Sequence, residues 1–99
     1  MHADLKTPGT NMLVEALLSL RTQEECYALL EDLCTVREIH DLSQRLEVAL
    51  LLDRGETYAG IVEKTGASTA TIGRVNRALH YGAGGYEALF KRIARTEEA

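Results

Sequence analysis

The sequence predicts an all-α protein of about six helices. Apolar residues recur at helical spacing along nearly the whole chain, no window of strict apolar–polar alternation is long enough for a strand, and Thr–Glu pairs at capping spacing mark helix starts. The first helix is expected over about 11–20: Thr10 or Asn11 can cap it, and Leu13, Leu17 and Leu20 form a stripe that Val14 and Leu18 widen. Thr22-Gln-Glu-Glu25 and Thr35-Val-Arg-Glu38 each place a Thr three residues before a Glu. The hydroxyl can accept the third helical amide while the carboxylate reaches back, so two further helices start there.

The second of these, over about 36–54, carries Val36, Ile39, Leu42, Leu46 and Leu50 on one stripe and ends at Gly55, a residue able to take the left-handed closing conformation. In its last turns Leu46, Val48, Ala49, Leu50, Leu51 and Leu52 leave little polar surface on any side. Such a helix must be covered all round. A chain of 99 residues holds one domain, burying about 60 to 70% of its unfolded surface, and has little to cover that helix with. The expectation is a two-fold homodimer whose N-terminal helices cover each other. A buried central helix in a monomeric bundle is the alternative.

Residues 57–80 carry the most specific local pattern. Thr57 can cap a short helix holding Ile61 and Val62, Gly66-Ala-Ser breaks it, and Ser68 can cap a second helix with Ile72, Val75 and Leu79 inward. Ile61, Val62, Ile72 and Val75 are expected to hold the two helices crossed. This helix, tight turn, helix unit presents the outer face of its second helix, which the major groove of B-DNA is wide enough to admit. That face is Ala70, Gly73, Arg74 and Arg77, flanked by Thr69 and His80. Small residues permit close approach, arginines offer forks to guanine edges or phosphates, and the helix start, with Ser68, Thr69 and Thr71, can hold a backbone phosphate. The alternative is an ordinary helical corner with solvated arginines. Gly82-Ala-Gly-Gly85 then reads as a flexible connection to a last helix over about 86–95 with Leu89, Phe90 and Ile93 on its apolar side. The organisation expected is a dimerising part over about 11–54, the helix-turn-helix and the C-terminal helix.

Fifteen acidic against eleven basic side chains give a net charge of −4, which argues against a polyanionic partner if the charge is evenly spread. It is not. Residues 1–60 hold five basic and eleven acidic groups, whereas from Lys64 to Arg95 six basic groups are set against Glu87 alone. Phosphate contacts need only local positive charge. A hydrophobic fraction of 45% with one proline excludes a disordered tail. No stretch reaches the roughly 18 apolar residues of a membrane span, and the N-terminus has no apolar run following a basic region, so a cytoplasmic protein without membrane contact is expected. Cys26 and Cys34, eight apart, read as reduced, small core residues.

With these motifs in place the chain resembles the Trp repressor superfamily, and more closely its Trp-repressor-like (YerC/YecD-type) bacterial branch. The resemblance covers about residues 10–95. It rests on Leu33-Cys-Thr-Val-Arg-Glu-Ile39, Gln44-Arg-Leu-Glu-Val-Ala49, Arg54-Gly-Glu-Thr57, Gly66-Ala-Ser-Thr-Ala-Thr-Ile72 and Arg74-Val-Asn-Arg-Ala-Leu79. It implies an intertwined all-helical dimer bound to a two-fold operator on double-stranded DNA, the half-sites about one helical turn apart as for other helix-turn-helix dimers. It also implies a ligand pocket: tryptophan-sensing members hold the indole between two arginines, with a threonine near the start of the long helix. Arg45, Arg74 and Thr35 match these, and Thr71 matches another pocket residue. The glycine that follows the second arginine in those members is Val75 here, and Gly73 stands where they have a threonine. Overfilling a packed site costs about 1 to 3 kcal/mol, so L-tryptophan is not favoured; the arginines can instead pair with acidic residues of the first half or bind another anionic ligand, and the sequence identifies no co-repressor. The segment before the turn is one residue shorter than in the tryptophan sensors, and its start, Tyr58-Ala-Gly60, is poor in polar side chains. Operator sequence therefore does not transfer.

Other candidates are weaker. Gly82-Ala-Gly-Gly85 lacks the Lys-Ser or Lys-Thr and the preceding strand of a phosphate loop. His2, His40 and His80 share no metal-ligand spacing with one another or with the cysteines. His40, Asp41 and Ser43 are the residue types of a nucleophilic triad, but neighbours on one helix point apart. No enzyme is expected. The reading is a dimeric transcriptional regulator, a repressor, that puts the helix over 69–80 into the major groove. The rival is a small-ligand sensor or protein-interaction module on the same fold without DNA binding.

Overall fold

The computed structural model describes residues 5–98. Among them are six α-helices and no strand: α1 (Pro8–Ser19), α2 (Gln23–Leu33), α3 (Val36–Asp53), α4 (Tyr58–Thr65), α5 (Thr69–Tyr81) and α6 (Gly85–Glu98). The chain divides into two compact units, one ending at Val36 and one beginning at Arg37.

In the first unit α1 starts three residues before the expected position. Thr7, not Thr10 or Asn11, is its cap: Thr7 Oγ1 accepts the Thr10 amide at 3.1 Å, and Pro8 takes the first turn, where its missing N–H removes a donor that has no helical partner anyway. No apolar residue in that turn announces it. At α2, Thr22 Oγ1 accepts the Glu25 amide at 3.1 Å as expected, whereas the Glu25 carboxylate reaches one residue further, to the Arg21 amide at 2.8 Å. Neither helix buries a residue. Leu18 is 80% exposed and Met12, Leu13, Val14 and Leu17 also lie open. Cys26 and Cys34 are free thiols and only half-buried, because this unit has no core for them to enter; Cys34 closes α2 through its amide.

The second unit has a closed core of Val48, Ala49, Ile61, Ala67, Ile72, Val75 and Phe90, with Leu50, Leu51, Leu52, Leu79 and Tyr86 packed against it. At about 1.5 to 3 kcal/mol for each fully buried aliphatic side chain, Val48, Ile61 and Ile72 supply its centre. The long helix ends one residue earlier than expected. The Gly55 amide donates to Leu52 and the Glu56 amide to Leu51, with Gly55 at φ 86°, which satisfies the last carbonyls in a Schellman closure. α6 starts at Gly85 and runs three residues past its expected end, and of its apolar side only Phe90 is buried, its ring stacked on Tyr86 at 6.1 Å; Leu89 and Ile93 remain exposed.

Candidate nucleic-acid interface

Two helices and a turn build the candidate face. Thr57 Oγ1 caps α4 by accepting the Gly60 amide at 3.0 Å, and Gly66, at φ 74°, ends the helix in the left-handed region. Thr65 then stitches the turn: its hydroxyl donates to the Ile61 carbonyl at 2.8 Å and accepts the Ala67 amide at 3.1 Å, while Gln44 of α3 donates to the Thr65 carbonyl at 3.2 Å. Ala67 is thereby drawn into the core beside Ile61, Ile72 and Val75. Val62, expected to share that role, is instead 37% exposed, because neighbours on a helix diverge by about 100° and Ile61 already points inward.

Ser68 caps α5. Its Oγ accepts the Thr71 amide at 3.1 Å and donates to Thr71 Oγ1 at 3.1 Å, so its hydroxyl is engaged in shaping the helix start. With Ile72 and Val75 buried, the opposite side of α5 is open: Thr69, Ala70, Arg74, Arg77 and His80 are exposed and Gly73 is half-buried. Arg45, Arg74 and Arg77 form no ion pair among the described residues. Lys64, by contrast, is paired with Glu56, and Lys91 with Glu87 at 3.4 Å.

The two arginines of α5 share its outer stripe, but only one of them borders a cleft. Arg74 lines a cleft of about 170 Å³ with Arg45, Thr71, Val75, Ala78 and Tyr86; Arg77 is not part of it. The cleft brings together four of the five residues predicted for a ligand pocket, while Thr35 lies in the first unit. Val75 is only 4% exposed and belongs to the core, so its side chain forms part of the cleft floor. Ala78 and Tyr86 were not anticipated. Ala78 follows Arg74 by one turn, a spacing that would have found it; Tyr86 comes from α6, and no local pattern points to it. Tyr81 was also missed: it is 83% exposed and continues the line of Ala70, Arg74 and Arg77.

The remaining candidates separate. Ser43 donates its hydroxyl to the Ile39 carbonyl at 2.8 Å, a helix bond and not a relay. His80 is tilted against Tyr81, ring centres 6.3 Å apart, and lines a recess of about 330 Å³ with Asp53 and Glu87. His2 lies outside the described residues. Among the described residues no His, Cys, Asp and Glu cluster suits a metal ion, and no helix is long and apolar enough to cross a membrane.

Comparison with known proteins meets this geometry. The chain is 52% identical over 93 residues to the uncharacterized protein YerC of Bacillus subtilis, covering 94% of this chain and 89% of that one. Its fold superposes on a TrpR-like protein of Eubacterium eligens with a TM-score of 0.88 at 53% identity, over 91% of this chain and 93% of that one. A Staphylococcus aureus structure gives a TM-score of 0.87 at 47% identity, over 91% and 90%. The family model described as Trp repressor protein matches residues 9–94, which takes in all of α1 but its first residue, α2 and the whole helix-turn-helix: the chain belongs to the Trp repressor family and is a Trp-repressor-like regulator of the YerC type.

Proposed function

We propose that the chain is a homodimeric, DNA-binding transcriptional repressor that inserts α5 of each subunit into successive major grooves, with half-sites about one helical turn apart. The observation that carries this reading is the outer face of α5: a helix seated on a buried core, with Arg74 and Arg77 exposed and free of intramolecular ion pairs. Unpaired guanidiniums can neutralise phosphates, releasing counterions, or fork onto guanine. Thr69 and the free amides of the first turn of α5 lie where a backbone phosphate would set the register. The open apolar stripes of α1 and α2 support the dimer, since a second copy supplies the cover that these helices lack.

The cleft between Arg45 and Arg74 suits a small anionic co-repressor resting on Val75, Ala78 and Tyr86. The core position of Val75 argues against indole there. Replacing Arg77 with Ala tests the main reading. Binding to a duplex selected from genomic DNA should weaken by about 1 to 3 kcal/mol at physiological salt, with dimer and melting temperature intact; unchanged affinity would remove α5 from the interface.

A further inference from the structure

We infer that Gly73 is the point where the duplex comes closest to the α5 backbone, and that this depth of approach lets Arg77 read a guanine edge in place of a phosphate. The inference rests on the DNA-binding reading above.

Glycine inside a helix is less favourable than alanine, so it needs a reason. The fold of this chain supplies none. Gly73 is not among the glycines with positive φ, which are Gly55, Gly66 and Gly84. A Cβ built on Gly73 meets nothing within 4 Å, whereas one on Gly82 would lie 2.3 Å from the Ala78 carbonyl oxygen. Gly82 is thus required by its own turn and Gly73 by nothing inside the unit. Nor does Gly73 line the cleft beside Arg45 and Arg74, so a ligand there does not account for it.

What remains is outside the molecule. Gly73 lies one turn after Ala70 and one turn before Arg77, next to Arg74, so it leaves backbone without a side chain beside the stripe that carries two unpaired guanidiniums. Their charge selects a polyanion, and bare backbone allows its surface to approach closely. Depth decides what Arg77 can do: from a helix seated deep in the groove its fork reaches guanine O6 and N7, and from a helix propped outward it reaches only phosphates, which carry no sequence information. A guanine in each half-site opposite Arg77 follows.

The test is a random-sequence duplex library selected on the wild-type protein, followed by titration of the enriched duplex and a scrambled duplex with wild type, Gly73→Ala, Arg77→Ala and the double variant. Gly73→Ala should melt at the same temperature or a few degrees higher, because alanine is the better helix former and has open space. Its affinity for the scrambled duplex and the salt dependence of that binding should not change. Its preference for the enriched duplex should fall about tenfold or more, with the double variant no worse than Arg77→Ala alone. A Gly73→Ala protein with full preference, or one weakened equally on both duplexes, overturns the inference while the DNA-binding reading stands. A wild-type protein that enriches no sequence overturns both.

Discussion

The two units of the chain solve the problem of apolar surface in opposite ways. From Arg37 onward, four helices close seven buried residues into a core, and the apolar side chains of α5 are used twice, Ile72 and Val75 holding both the core and the turn. Before it, α1 and α2 carry stripes of the same spacing and bury none of them. Helices of 12 and 11 residues are marginal alone in water. Well-formed caps with no core beneath them indicate helices whose packing partner lies outside the unit. In the proposed function the self-contained unit presents the reading helix, and the incomplete one holds the chain to another copy.

The largest effect should therefore follow from charging the incomplete unit. Leu17 sits in the open stripe of α1, and Leu17→Asp in both subunits of a dimer would remove two buried leucines and place two carboxylates in apolar surroundings. A loss of several kcal/mol is expected, since each leucine contributes about 1.5 to 3 kcal/mol before the charge is counted. Sedimentation equilibrium should show dissociation to monomer. A variant that sediments as the wild type does would erase the contrast between the units.

Next in size is Val75, where core and cleft meet. Val75→Gly removes a buried side chain and puts glycine inside a helix, for an expected loss of about 2 to 4 kcal/mol in urea unfolding. Calorimetry on the wild type should give no saturable heat with L-tryptophan, because the Val75 side chain forms the cleft floor. Tight binding by the wild type would show that the branched side chain leaves the indole room after all.

The class of fold and the turn were legible because their signals are local. Gly66, Ser68, Ile72 and Val75 sit at spacings that fit two helices joined by a tight turn, and each of them serves the expected part in the turn. What escaped depends on choices between near-equivalent neighbours. Ile61 and Val62 are both branched and apolar, and only packing against Ala67 and Ile72 decides that Ile61 is inside. The start of α1 was hidden because Thr7, Thr10 and Asn11 can all cap, and Pro8 settles the matter by fitting the first turn of a helix and not its later ones. Tyr86 reached the cleft from a different helix, a contact of tertiary origin that sequence spacing does not encode.

The smallest and most discriminating comparison uses one cap from each unit. Thr7 and Ser68 make the same bond, a side-chain oxygen accepting the amide three residues on at 3.1 Å. Replacing either by Ala removes about 1 kcal/mol of local helix stability. Their consequences should differ because their helices are anchored differently. In Ser68→Ala the first turn of α5 stays seated through Ile72, so the loss should register in unfolding of the second unit at any protein concentration. In Thr7→Ala, if a second copy covers the helix as proposed, the loss should register as a raised dimer dissociation constant, by about fivefold per subunit cap, and fade in melting curves at high protein concentration. If both variants lose the same stability independently of concentration, α1 is anchored within its own chain, and the division of labour between the units is wrong.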